Sequence, residues 1–172
     1  DPPADLGLGF TAWSPERGVL LNARSDGRVF VWDCGTGREL AAWRSPVTPL
    51  RGAALSPDAR WAAIGPENER ANNRYGALLR EIATGRERQL LGHHDLVQGL
   101  AFSPDGSILA TTGPDATIKL WDMATGEEIA SLAGHLQDAV ALAFCPDGRT
   151  LASMGSGRDV KLWHLPTLRE VA

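Results

Sequence analysis

Ser14-Pro15, Ser56-Pro57, Ser103-Pro104 and Cys145-Pro146 recur at intervals of 42, 47 and 42 residues. That period constrains the fold more than any other feature, because repeats of about 40 to 45 residues are the signature of radially arranged β-units. A second piece recurs downstream of each pair: "DGRVFVWDCGTGRE" (26–39), "YGALLREIATGRE" (75–87), "PDATIKLWDMATGEE" (114–128) and "RDVKLWHLPTLRE" (158–170). The chain reads as one domain over 1–172, made of four copies of one unit with approximate bounds 5–45, 46–92, 93–134 and 135–172.

The third copy shows the logic of the unit. "VQGLAFSP" is an apolar segment of strand length, and Ser103-Pro104-Asp105-Gly106 has the residues of a type I turn. "SILATTG" reads as the second strand and "TIKLW" as the third. In the third, Ile118 and Leu120 face one way while Thr117, Lys119 and Trp121 face the other. Thr125-Gly126 turns the chain into a fourth strand, "EEIASLAG". Both faces carry bulk, so each small sheet is expected to lie between two others, with Trp121 filling the gap. The fold class expected is all-β.

Composition excludes several functions. The net charge is −4, and of 17 basic residues only Lys119 and Lys161 are lysines, without the arginine-rich aromatic stretches of nucleic-acid binders. No apolar run is long enough to span a membrane and no signal peptide is recognisable, so a cytoplasmic location is expected. Cys34 and Cys145 occupy different places in their repeats and share no metal-ligand spacing; they read as reduced structural thiols.

On these residues the chain resembles the WD-repeat β-propeller family over nearly its whole length. Gly92-His93 followed by Trp121-Asp122, and Gly134-His135 followed by Trp163-His164, carry the resemblance most fully. It implies a hydrogen-bonded tetrad of His, Ser or Thr, Asp and Trp within a blade. In blade three the matching residues are His93, Thr111, Asp115 and Trp121. Blade four offers His135, Ser153 and Trp163, but Gly157 stands at the Asp place, so this tetrad is expected to be incomplete. Blade one has Asn22, Asp26 and Trp32 without a His, and blade two has Pro46, Ile64, Arg74 and Arg80 at the four places. A half-satisfied buried network would be costly, which favours wholesale replacement in blade two. Arg80, where other blades bury Trp, is hard to place in a core.

No motif carries a reaction. His93 and His135 are accounted for by the repeat, which leaves His94 and His164. Asp122, Glu127 and Glu128 sit at a turn that recurs as Asp33, Glu39 and Glu81, and read as turn and rim residues rather than an acid–base pair. "LGLGFTAW" lacks the third glycine and helix of a dinucleotide loop. No catalytic residue, metal or cofactor is expected. Blade two carries six extra residues within "GPENERANNRYG", making Glu67, Glu69, Arg70, Arg74 and Tyr75 a candidate partner-binding loop.

The resemblance implies a non-enzymatic scaffold for protein–protein interaction. The alternatives are a fragment of a larger propeller without activity of its own, and an enzyme whose site is assembled from isolated loop residues. Family rings generally have six to eight blades and this chain encodes four. Two copies related by a two-fold axis would make eight, so an eight-bladed homodimer is expected, with blade one of each copy packed on blade four of the other.

Overall fold

The computed structural model describes residues 9–66 and 75–172. Every described element is a strand, and the sixteen strands pair only within consecutive sets of four. Blade one contains β1 (Gly9–Ser14), β2 (Val19–Arg24), β3 (Arg28–Asp33) and β4 (Arg38–Arg44). Blade two contains β5 (Leu50–Leu55), β6 (Trp61–Pro66), β7 (Tyr75–Glu81) and β8 (Glu87–His93). Blade three contains β9 (Gly99–Phe102), β10 (Ile108–Thr112), β11 (Thr117–Asp122) and β12 (Glu128–Ala133). Blade four contains β13 (Ala139–Phe144), β14 (Thr150–Gly155), β15 (Val160–His164) and β16 (Arg169–Glu170). Each blade is an antiparallel meander, with neighbours in sequence also neighbours in the sheet.

The Ser-Pro turns close the first hairpin of their blades. In blade three, Ser103 Oγ donates to Asp105 Oδ1 (2.6 Å) and accepts from the N–H of Ile108 (2.9 Å). Gly106 closes the turn at φ +72° by donating to the Ser103 carbonyl (2.8 Å). Blade two repeats the bonds with Ser56, Asp58 and Trp61, but Ala59 holds the left-handed place at φ +57°. In blade four Cys145 replaces the serine, and the N–H of Thr150 turns to Asp147 Oδ1 at 3.1 Å instead. Cys145→Ser is therefore expected to stabilise the chain by about 1 kcal/mol, the net value of a neutral hydrogen bond, as read by urea unfolding.

Three apolar seams hold consecutive blades together. Val19, Leu21, Ala23, Val29 and Val31 of blade one meet Leu50, Ile64 and Leu78 of blade two. Ala63, Ala77, Leu79 and Leu90 of blade two meet Leu109 and Trp121 of blade three, and Ile118, Leu120 and Leu132 meet Leu151 and Trp163 of blade four. Strands buried on both faces explain why alternation is weak in "TIKLW": Ile118 and Leu120 fill one seam and Trp121 the other.

A bulge accompanies each tryptophan on a third strand. Leu120 pairs with Ala130 and Trp121 with Glu128, which leaves Ile129 unpaired; Val31–Ala41 and Trp32–Glu39 bracket Leu40 in the same way. Blade four repeats it around Val171, with Trp163 opposite Glu170 and Val171 N–H bonded to Leu162. Leu40, Ile129 and Val171 are exposed because the bulge turns them out of the sheet. In blade two, which has Arg80 at this place, Leu79–Arg88 and Arg80–Glu87 pair without interruption.

Candidate functional site

The best-formed polar constellation lies at the end of blade three. His93 ends β8 and its Nε2 stands 2.8 Å from Thr111 Oγ1 on β10, while its Nδ1 stands 2.8 Å from Asp115 Oδ2 in the β10–β11 turn. Trp121 on β11 donates its Nε1–H to the same Thr111 oxygen (2.8 Å). With the ring proton on Nδ1, donation runs from the indole to the threonine hydroxyl to His93 Nε2, and from Nδ1–H to the carboxylate, leaving no donor idle. The carboxylate also accepts from the backbone N–H groups of His94 (3.0 Å) and Thr117 (3.1 Å). Burial alone would raise the Asp115 pKa, but the hydrogen bond from His93 and these N–H groups outweigh it and hold the carboxyl well below the usual range. The constellation ties three strands and a turn together, with His93 and Thr111 fully buried.

Blade four corrects an expectation. Its network is closed, because His135 Nδ1 meets Asp159 Oδ2 at 2.6 Å, His135 Nε2 meets Ser153 Oγ at 2.6 Å, and Trp163 Nε1 donates to Ser153 Oγ at 2.8 Å. Asp159 stands two places before Lys161 as Thr117 stands two before Lys119, and both lysines pair with the network's Ser or Thr across the hairpin. Thr117 itself lies near His93 (3.4 Å), so two places on this hairpin reach the imidazole and Asp can occupy either. The Asp159 side chain is 41% exposed against 6% for Asp115, which makes this the wetter network.

In blade one the three residues act apart. Asn22 donates to Thr11 Oγ1 (3.4 Å), Asp26 accepts from the backbone and side chain of Arg28 (3.0 and 2.7 Å), and Trp32 is half-buried. With no imidazole in the blade, nothing bridges them. In blade two, Ile64 is fully buried in the first seam, where an apolar side chain needs no partner. Arg80 avoids the core problem by lying with its guanidinium 4.9 Å from the centre of the Trp43 ring and pairing with Glu87 (2.7 Å). At the other seams the ring comes from the following blade and packs on the preceding one. Here the preceding blade supplies the ring and the following blade the cation.

This explains the glycine of the Gly-His pairs. A Cβ on Gly92 would lie 2.9 Å from Trp121 Cη2, and one on Gly134 would lie 2.8 Å from Trp163 Cη2. Ser45 holds the equivalent place in blade one, where Arg80 and not a ring follows. Gly92→Ala should therefore cost about 1 to 3 kcal/mol through overpacking, measured by denaturant unfolding.

The remaining titratable groups serve turns and strand pairs. Asp122 accepts from the N–H groups of Ala124 and Thr125 (2.8 Å each) and Asp33 from Thr36 (2.8 Å), and these bonds lower both pKa values. Glu128 grips the largely buried Lys119 (2.9 and 3.0 Å), and Glu170 grips Lys161 (2.6 Å), so both lysines of the chain stabilise a third strand against a fourth. His94 contributes its backbone N–H to Asp115, and the half-buried His164 meets Thr167 (2.9 Å). Cys34 is exposed and Cys145 half-buried, both as free thiols. Among the described residues no three His, Cys, Asp or Glu side chains converge as metal ligands. Glu67, Glu69, Arg70 and Arg74 lie outside the described residues; Tyr75 opens β7 opposite His93.

The depressed carboxylates predict the acid response. Asp26, Asp33, Glu81, Asp105, Asp115, Asp122, Asp147 and Asp159 all have lowered pKa values in the folded chain. Such groups bind fewer protons when folded, so their stabilisation is complete above the unfolded pKa of about 4 and is lost as pH falls through the folded values. Unfolding free energy should hold between pH 7 and 5 and drop steadily below about pH 4. The drop should be shallower in Asp115→Asn.

The blade ends present the other candidate surface. Met154, Val160 and Leu162 of blade four stand at the places of Ala23, Val29 and Val31 in blade one. Ala23, Val29 and Val31 are completely buried, whereas Met154 is 45% and Val160 62% exposed. Trp13, Leu20, Phe30 and Trp32 face outward from blade one at the places that Leu55, Ala62, Leu78 and Arg80 hold in blade two, and Trp13 is 48% exposed. The described blades thus form an open succession with a seam-type face uncovered at each end. On the concave side, a cleft of about 630 Å³ is bordered by the inner strands of all four blades, with Arg51 the one titratable side chain among the described residues that line it.

Four-stranded antiparallel blades, packed face to face and in blades three and four locked by a Trp–Ser/Thr–His–Asp network, define a repeat protein of propeller type. A family profile described as "WD domain, G-beta repeat" matches residues 85–122 and 126–164. The chain is 34% identical over 122 residues to an uncharacterised WD repeat-containing protein of Synechocystis, a match covering 70% of this chain and 33% of that protein. It is 28% identical over 125 residues to guanine nucleotide-binding protein subunit beta of Solanum tuberosum and of Zea mays, covering 71% of this chain and 33% of each. The chain belongs to the WD-repeat family. It spans about a third of the length of these relatives. No helix among the described residues is long and apolar enough to cross a membrane.

Proposed function

We propose that this chain is a non-enzymatic WD-repeat scaffold for protein–protein interaction, acting in the cytoplasm and needing no cofactor. The observation that carries the reading is the pair of uncovered apolar faces, whose equivalents inside the chain are seams. Large exposed apolar faces on a folded chain mark association sites. The turn and network roles of the lowered carboxylates support the non-enzymatic reading. The names of the G-protein relatives, each a subunit of a larger assembly, support the interaction reading.

The finer proposal is self-association into an eight-bladed homodimer, blade one of one copy covering blade four of the other. A second reading, favoured by the chain's coverage of only a third of its relatives, has further blades of a longer polypeptide cover the same faces. Mass in solution separates the two. The inserted loop of blade two is proposed as a partner contact. Replacing Arg70, Arg74 and Tyr75 together should weaken a protein partner while leaving the melting temperature of the domain in place, and unchanged affinity would remove the loop from the binding surface.

A further inference from the structure

The edge of blade two opposite the His93 network holds a pocket that neither the tetrads nor the end faces use. Arg60 and Trp61 at the start of β6, Glu81 at the end of β7, and Arg86, Glu87 and Arg88 around the start of β8 line it, enclosing about 260 Å³. Its two carboxylates are already neutralised, Glu81 by Arg60 (2.8 Å) and Glu87 by Arg80 (2.7 Å). That leaves Arg86 and Arg88 as surplus positive charge. Arg86 is exposed, and Arg88 Nη1 is buried without a hydrogen-bond partner.

The position of Arg88 is constrained by the neighbouring blade. Its guanidinium lies against the β11–β12 turn, where a Cβ on Gly126 would stand 2.6 Å from Nη1. Trp61 is half-buried and the Arg60 guanidinium covers its ring at 5.5 Å from the centroid. The pocket therefore joins an aromatic wall to two cations in excess of its carboxylates, since Glu81 and Glu87 are already paired with Arg60 and Arg80. A buried guanidinium nitrogen without an acceptor costs free energy, and a carboxylate oxygen is the acceptor its fork geometry fits best.

We propose that this pocket binds an acidic segment of a protein partner, one carboxylate taken by Arg88 and Arg86 and an adjoining apolar side chain laid against Trp61. The proposal rests on the scaffold reading only in taking the partner to be a protein. It is independent of self-association, since none of these residues lies on an end face.

The test uses the 172-residue chain and a fluorescein-labelled, amidated peptide of sequence Glu-Glu-Leu-Glu-Glu-Leu, with fluorescence anisotropy as readout and a Gln-for-Glu peptide as control. Saturable binding is expected, weakening as salt rises. In Arg86→Gln/Arg88→Gln it should weaken by about tenfold or more, the loss of a charge-assisted pair, and the control peptide should bind as weakly to the parent. Should the double variant lose its cooperative melt, Arg86→Gln alone, an exposed change, is expected to weaken binding by about threefold. Absence of saturable binding, equal affinity in the variant with its fold intact, or equal affinity for the control peptide overturns the proposal. Displacement by millimolar inorganic phosphate as effective as by unlabelled peptide also overturns it, because the site would then take any small anion. None of these failures touches the mass measurement on which self-association stands.

Discussion

Trp121→Ala is expected to lower the unfolding free energy by about 3 to 5 kcal/mol, the range for deleting a large aromatic side chain from a core. Three losses coincide at this position. The ring, 3% exposed, fills the seam against Leu79 and Leu90 of blade two and covers Gly92. The indole N–H that satisfies Thr111 disappears, leaving the buried network with one donor fewer. The bulge that places Trp121 opposite Glu128 then serves no side chain. Urea unfolding of parent and variant at pH 7 measures the difference. Melting within error of the parent would mean that the ring anchors nothing. Trp32→Ala, at the same place on an end face, should cost much less in a chain kept as a single copy by Val160→Glu, and the contrast separates seam burial from any general effect of removing tryptophan.

Light scattering on the purified chain at micromolar concentration is expected to give about twice the 18.4 kDa of one copy. The physical ground is the mismatch between the faces and their surroundings. Met154, Val160 and Leu162 continue the positions that are completely buried in blade one, and Trp13, Leu20, Phe30 and Trp32 continue those that blade two buries. A two-fold axis covers both faces of both copies at once, whereas any head-to-tail contact without closure would leave faces free to build longer polymers. A charge in the seam would have to be buried without a partner, so Val160→Glu should return the mass to one copy without unfolding the blade. A parent mass of 18.4 kDa that persists as concentration rises would defeat self-association. The same faces would then belong against further blades of a longer polypeptide.

Much of this architecture was legible in the chain before any coordinates. The 42- and 47-residue intervals between Ser-Pro pairs, with a turn at each, determine four units of short antiparallel strands. They do so because turn chemistry is local and a small two-faced sheet has few ways to bury both faces. The histidine network of blade three was equally legible, since its members stand at fixed offsets along strands whose register the turns set. Only the tertiary structure decided the rest, because the deciding contacts cross between blades or depend on where within a turn a side chain points. Asp159 rather than residue 157 closes the blade-four network because two places on one hairpin reach the same imidazole. Gly92 and Gly134 must lack a side chain because the ring that sits on them belongs to the next blade. Arg80 is accommodated because Trp43, 37 residues earlier and on another sheet, offers it an aromatic face. No local pattern connects such pairs; packing does.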